Sequence, residues 1–299
     1  MSWLYRFVCV YLIYMTLHLT RSLIIQAKNR ATRLFRSGTR KSLESTMEGI
    51  KVSYVSDVEG NFDYWRRFVN FSSLLRGEPG TKQLELADPH SHFVYGGDVC
   101  DRGPGDIRVV EDIVSLKERY PDRVHIILGN RDINKMRLPF ELHPTIGLQT
   151  PPKVYWLRGG DDEWAINPSP ASRELTTHAS RRLQWILQKT MGSPLAFEYR
   201  RAELLSAGGP CEDDDVVRSF LDYVDPGPAA GPLTKYLQYG AVAAVIGDTL
   251  FVHGAANPHN IGHVPSYGGQ AARHVADVRQ WAREINAFKD AEVSDPYLP

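Results

Sequence analysis

From residue 50 onward the hydrophobic positions keep changing period. Residues 50–56 (IKVSYVS) are a short β-branched run, the pattern of a strand, and 61–75 then places Trp65, Phe68, Val69 and Leu75 at helical spacing. Turn signals at 77–80 lead through a polar link to a second strand at 92–95. A helix over 106–120 carries Ile107, Val110, Ile113 and Val114 on one side, and Pro121 closes it. A third strand is expected at 124–128. Strands alternating with helices predict an α/β fold whose sheet has a parallel core and helices on both faces.

The pattern changes at 138. From there to about 240, Pro and Gly punctuate helical stretches at 173–189, 194–205 and 216–223, which predicts a mostly helical insertion capping the core. Strand pattern returns at 241–246 and 249–252, joined at Gly247 and Asp248 as a two-residue hairpin turn. Val275, Val278, Trp281, Ile285 and Phe288 predict a final helix within 270–288. The expected organisation is a tail over 1–46 and one domain over 47–299, the insertion lying at about 138–240. Residues 295–299 (DPYLP) read as an interrupted loop, as in a truncated C-terminus.

The 299 residues carry 35 basic and 35 acidic side chains, but the balance is uneven. Eight basic residues and one acid precede Met47, leaving 27 basic and 34 acidic residues of the 35 of each for the body. An acidic body disfavours nucleic acid as a partner. Cys9, Cys100 and Cys211 are too few and scattered for a disulfide framework or a zinc knuckle. Residues 7–19 (FVCVYLIYMTLHL) are almost wholly apolar and are followed by an Arg-rich, acid-poor run. Three readings stay open: a short membrane anchor or signal-peptide core, a mitochondrial presequence, or a start at Met47. The first two imply membrane-anchored, secretory or mitochondrial placement with membrane association through the N-terminus, and the third a cytoplasmic one.

Candidate chemistry recurs at strand ends. Asp57, Glu59 and Gly60 follow the first strand, GDVCDRG (97–103) the second, GNRD (129–132) the third, and His253 with Gly254 the hairpin. Carboxyl ends of parallel strands form the ligand crevice of open α/β sheets. Taken singly, an Asp after a strand is more often a turn former than a ligand. Together, Asp57 and Asp98 supply hard oxygens, Asn130 a carbonyl oxygen and His253 an imidazole nitrogen. That mixture suits Mn, Fe, Zn or Mg. Two such metals would share a hydroxide nucleophile and clamp phosphoryl oxygens.

The ordered set resembles the calcineurin-like metallophosphoesterases, which include serine/threonine phosphoprotein phosphatases and diadenosine tetraphosphatases. The resemblance covers roughly 50–134 and 241–255, with GDVCDRG as its most specific element. It implies a metallophosphoesterase-type β-sandwich flanked by helices, and a phosphohydrolase in which metal-bound hydroxide attacks a phosphoester or phosphoanhydride. It further implies two divalent metal ions on Asp57, Glu59, Asp98, Asn130 and His253, with Asp98 bridging. Arg102, Asn130 and Arg131 would bind substrate phosphate, and Asp101, Arg102 and Arg131 would be the catalytic groups. Substrates would be a phosphorylated small molecule, a nucleotide or a phosphoprotein.

Three departures support the alternative of a catalytically inactive binding or scaffold protein. The usual Asp-x-His is Asp57-x-Glu59 here, and the usual Asn-His is Asn130-Arg131. Arginine cannot give up a proton near neutral pH. No late Gly-His ligand stands out, His263 lying only ten residues past His253. Elsewhere, the acids at 212–215 read as the start of a helix, Cys100 as a packing residue, and Trp156, Trp164 and Trp185 as core of the cap.

Overall fold

The computed structural model describes residues 49–145, 177–227 and 229–293. In order these form β1 (Lys51–Val55), α1 (Phe62–Phe71), β2 (Leu75–Arg76), β3 (Glu85–Leu86), β4 (Ser91–Tyr95), α2 (Asp106–Arg119), β5 (Val124–Ile126), α3 (Asn130–Asn134) and α4 (Leu138–Glu141). Then come α5 (His178–Trp185), α6 (Ala196–Ser206), α7 (Asp213–Tyr223), α8 (Pro232–Tyr239), β6 (Ala243–Ile246), β7 (Thr249–Val252), β8 (His263–Val264), β9 (Arg273–His274) and α9 (Val278–Val293).

The strands β1, β4 and β5 pair in parallel in that order, with Val55 opposite Tyr95 and Tyr95 opposite Ile126. Successive side chains of a strand point to opposite faces, so β4 serves two cores. Phe93 and Tyr95 pack against Trp65 of α1, at ring separations of 6.1 and 6.4 Å. Val94 faces the other way, into a smaller cluster with Ile127 and Ile246 flanked by Ala244 and Phe251. The second layer of the expected sandwich is thus supplied by the two-stranded hairpin β6–β7, whose Phe251 lies 5.9 Å from Tyr54. Ala241 bridges to Ile127 in parallel, which fixes where the hairpin leaves the sheet. Among the described residues no helix is long and apolar enough to cross a membrane.

Some helices start where the sequence supplies a cap. Asn61 accepts from the Tyr64 amide at the head of α1, and Glu212 with three acids opens α7. The acids at 212–215 therefore begin a helix, as read from the sequence, and Asp213 pairs with Arg201 at 2.7 Å. At the head of α2 the N-cap is Gly105, which has no side chain. The cap comes from α6 instead: the Glu203 carboxylate accepts from the amides of Ile107 (3.0 Å) and Arg108 (3.2 Å). Arg200, fully buried on the same helix, reaches Asp106 at 3.4 Å and stacks on Phe220 and Tyr223.

Two boundaries and one helix differ from expectation. The first helix ends at Phe71 and not at 75, because Ser72 turns to extended backbone and Leu75 pairs with Leu86 in the β2–β3 ribbon. The final helix begins at Val278 and not near 270; Arg273 and His274 pair with Val264 and His263, and Asp277 accepts from the Gln280 amide to start the helix. The insertion contains a further helix, α8, that the sequence reading passed over. The expectations for 1–46, for Trp156 and Trp164 and for 295–299 lie outside the described residues.

Candidate metal centre

The loops after β1 and β4 run side by side. Asp57 N donates to Gly97 O, Glu59 N to Asp98 O, Gly60 N to Val99 O, and Arg102 N back to Glu59 O, all within 2.7–3.1 Å. This pairing holds the side chains at the sheet's carboxyl edge, and it costs conformational strain. Five described non-glycine residues have positive φ, and four belong to these loops: Asp57 (54°), Glu59 (51°), Asp98 (54°) and Asp101 (100°). Each such residue costs on the order of 1–3 kcal/mol, and strain of this kind concentrates at functional sites.

Asp132 ties the third loop to the second. Its buried carboxylate accepts from Asp98 N (3.1 Å), Val99 N (2.8 Å) and Gly129 N (2.8 Å), and Tyr236 Oη lies 3.3 Å away. Burial, with the charge of Asp98 nearby, pushes its pKa up to about 7. The hairpin then delivers His253 over the same edge, where a Cβ on Gly97 would stand 2.7 Å from the ring's Nδ1. Gly97 also has φ of +98°, so both space and backbone require glycine there.

Three ligand-type side chains meet as a result. Donor atoms of Asp57, Asp98 and His253 all lie within 4.8 Å of one another, Asp57 exposed, Asp98 buried and His253 between. The His253 Nδ1 lies 2.8 Å from Gly96 O, and as its donor it leaves Nε2 directed at Asp98 Oδ1, 3.5 Å away. Holding one nitrogen to a carbonyl in this way fixes the tautomer and frees the other as a ligand. Burial works to lower the His253 pKa, but the Asp98 carboxylate outweighs it and the value is pushed up to about 9. Two carboxylates and one imidazole nitrogen, already converged and partly open to solvent, fit a divalent cation.

Four of the other expected site residues, Glu59, Arg102, Arg131 and Asp101, form a second pole. Both oxygens of Glu59 are engaged, Oε1 with Arg131 Nε (2.8 Å) and Oε2 with Arg102 Nη1 (3.1 Å). Burial raises the Glu59 pKa, and the two arginines oppose this. Glu59 therefore does not join the Asp57, Asp98 and His253 group. The Arg102 side chain is 58% exposed, whereas Arg131 is 11% exposed. Arg131 Nη1 donates to Ser193 Oγ at 2.7 Å and to Met191 O at 3.3 Å. Asp101, expected among the catalytic groups, is wholly buried beneath the loop, where Lys135 Nζ (2.6 Å) and Ser193 Oγ (3.1 Å) donate to its carboxylate. Asn130 opens α3 and is partly buried beside Arg131. His263 sits on the β8–β9 ribbon, outside the group. Cys100 is buried, and burial with Asp101 nearby pushes its thiol pKa well up, the state of a packing residue.

The sequence reading gave no role to Asp132, Lys135, Ser193 or Tyr236. Lys135 was within reach: four residues past Arg131, it shares a helix face with it. Ser193 was not, since nothing in a Pro- and Gly-punctuated insertion ties one serine to a loop 62 residues away.

Comparison with known proteins agrees with this geometry. The family described as calcineurin-like phosphoesterase matches residues 50–225, more than half of the chain. Symmetrical bis(5'-nucleosyl)-tetraphosphatases from two strains of Buchnera aphidicola subsp. Acyrthosiphon pisum are 33% identical over 81 residues, 27% of this chain and 24% of theirs. The match thus spans about a quarter of the length of these relatives. A protein serine/threonine phosphatase from Saccharomyces cerevisiae is similar over 30% of this chain and 24% of its own, at 22% identity and a TM-score of 0.23, too low to support any statement about this chain. By the extent of the family match, which takes in all three strand-end loops, the chain belongs to the calcineurin-like phosphoesterases.

Proposed function

We propose that the chain is a metal-dependent phosphohydrolase whose divalent cation is held by Asp57, Asp98 and His253. The convergence of these three donors within 4.8 Å carries the reading. A divalent cation bound there supplies Lewis acidity toward a phosphoryl oxygen and makes water a stronger nucleophile; Mn, Fe, Zn and Mg all accept this donor set. Arg102, tethered by Glu59 and largely exposed, binds phosphate oxygens with its remaining donors. Glu59 orients it, and Arg131 adds positive charge from below.

No imidazole stands at position 131, so the leaving oxygen receives no proton from that side; stabilisation there is electrostatic. Poor leaving groups suffer most. A serine alkoxide needs a proton as it departs, whereas a nucleotide phosphate or aryl oxide leaves as a stable anion. The substrate class is therefore a phosphoanhydride or aryl ester, in line with the relatives' name of nucleosyl tetraphosphatase. The test is kcat/KM on an aryl phosphate and on a phosphoserine peptide, for the wild type and Arg131→His. The wild type should favour the aryl ester by about a hundredfold or more, the lower end of what a positioned proton donor is worth, and the variant should narrow the gap. Equal wild-type turnover overturns the preference. No turnover of either substrate by metal-loaded protein favours instead the binding-module reading that Glu59 and Arg131 support.

A further inference from the structure

The two oxygens of Asp98 face different cations. Oδ1 lies 3.5 Å from His253 Nε2 and accepts from the Arg131 amide at 2.9 Å. Oδ2 lies 3.7 Å from the Arg131 guanidinium. A carboxylate can bridge two metals through one oxygen or through both; here the second oxygen of Asp98 is turned to a side chain. Glu59, which the resemblance implies as a further metal ligand beside Asp57, has that same guanidinium at 2.8 Å on one oxygen and Arg102 on the other.

Arg131 does not hang there loosely. It is 11% exposed and fixed from the insertion by Ser193 Oγ and Met191 O, with Asp101 a further 3.7 Å contact. A guanidinium stays protonated and has no lone pair to offer, so it can neutralise carboxylates but never ligate. Placed between Glu59 and Asp98, it satisfies the charge that would otherwise draw a cation and repels one that approaches. Among the described residues no histidine besides His253 joins the cluster.

We infer that the Arg131 guanidinium takes the place of a second metal, so that the chain holds one divalent cation, on Asp57, Asp98 and His253, where the sequence pattern suggested two. The inference rests on the ligand assignment proposed above, and the experiment separates the two. Mn(II) is titrated into metal-free full-length protein, with bound equivalents counted by equilibrium dialysis and the bound ions examined by electron paramagnetic resonance. The wild type should take up one equivalent and give the spectrum of isolated Mn(II), without exchange-coupled dinuclear features. Arg131→Ala should take up a second equivalent and gain the coupled signal.

Two equivalents or a coupled spectrum in the wild type overturn the inference and leave the ligand assignment standing. No uptake by the wild type overturns both. If Arg131→Ala binds one equivalent, the arginine is not what excludes the second cation and the inference fails. Arg131→Gln, which keeps the stem and an amide donor, serves where the alanine variant does not fold, and the wild-type measurement decides by itself against a two-metal site.

Discussion

Among the described residues, two clusters bring three metal-ligating side chains within 4.8 Å: Asp57 with Asp98 and His253, and Cys100 with Asp101 and Asp106. Counted by donors they look alike; in charge and access they do not. The second cluster is wholly buried, and its acids already have cations, Lys135 on Asp101 at 2.6 Å and Arg200 on Asp106 at 3.4 Å. Its thiol is held protonated by burial and the neighbouring carboxylate. The first cluster opens to solvent through Asp57 and keeps an imidazole nitrogen aimed inward. Ligand atoms in reach of one another make a metal site where uncompensated charge and an entry path go with them; where counter-ions are built in, they make a structural polar core.

The sharpest way to break the comparison is to remove a ligand from the open cluster. His253→Ala should lose metal affinity by more than the about 10–100-fold that changes in outer-shell partners cost, with activity falling alongside. Dialysis against Mn(II) checks it, and undiminished uptake would mean that the open cluster is not the site. Next, Lys135→Met removes the close cation of buried Asp101 and leaves only the Arg131 guanidinium, 3.7 Å away. Stability should fall by about 3–5 kcal/mol, the usual cost of breaking a buried pair, while the folded fraction still binds metal. Denaturant unfolding with parallel metal analysis distinguishes that from a ligand role for Asp101. The mildest change is Cys100→Ala, expected to cost about 1 kcal/mol, the centre of the distribution for point mutants, with metal content unchanged. A lost equivalent in that variant would make the buried cluster a metal site after all.

Much of this was legible before any coordinates. The strand-end motifs were visible because period-2 and helical spacing alternate cleanly between 50 and 128, and Asp57, Asp98 and His253 do converge. What the sequence could not convey was direction. Glu59 stands at the position expected of a metal ligand, yet its side chain turns to two arginines, one from each neighbouring loop. Whether an acid meets a metal or a guanidinium depends on backbone angles such as the positive φ of Glu59 and Asp101, which cannot be placed at a given position from residue type alone. Helix ends were lost for a simpler reason: Leu75 and Val275 continue an apolar period, but both are buried outside helices, Leu75 within the two-residue strand β2 and Val275 directly after β9.

The Glu203 carboxylate, borrowed by α2 as its N-terminal cap, also joins the insertion to the catalytic edge in time as well as in space. Local opening of α6 strips the Ile107 and Arg108 amides of their acceptor directly after the loop that carries Asp98 and Arg102. These two amides then exchange with solvent whenever the insertion lets go, and stay protected while it holds. Opening of the insertion would thereby be read in the hydrogen-exchange rate of two amides of a core helix.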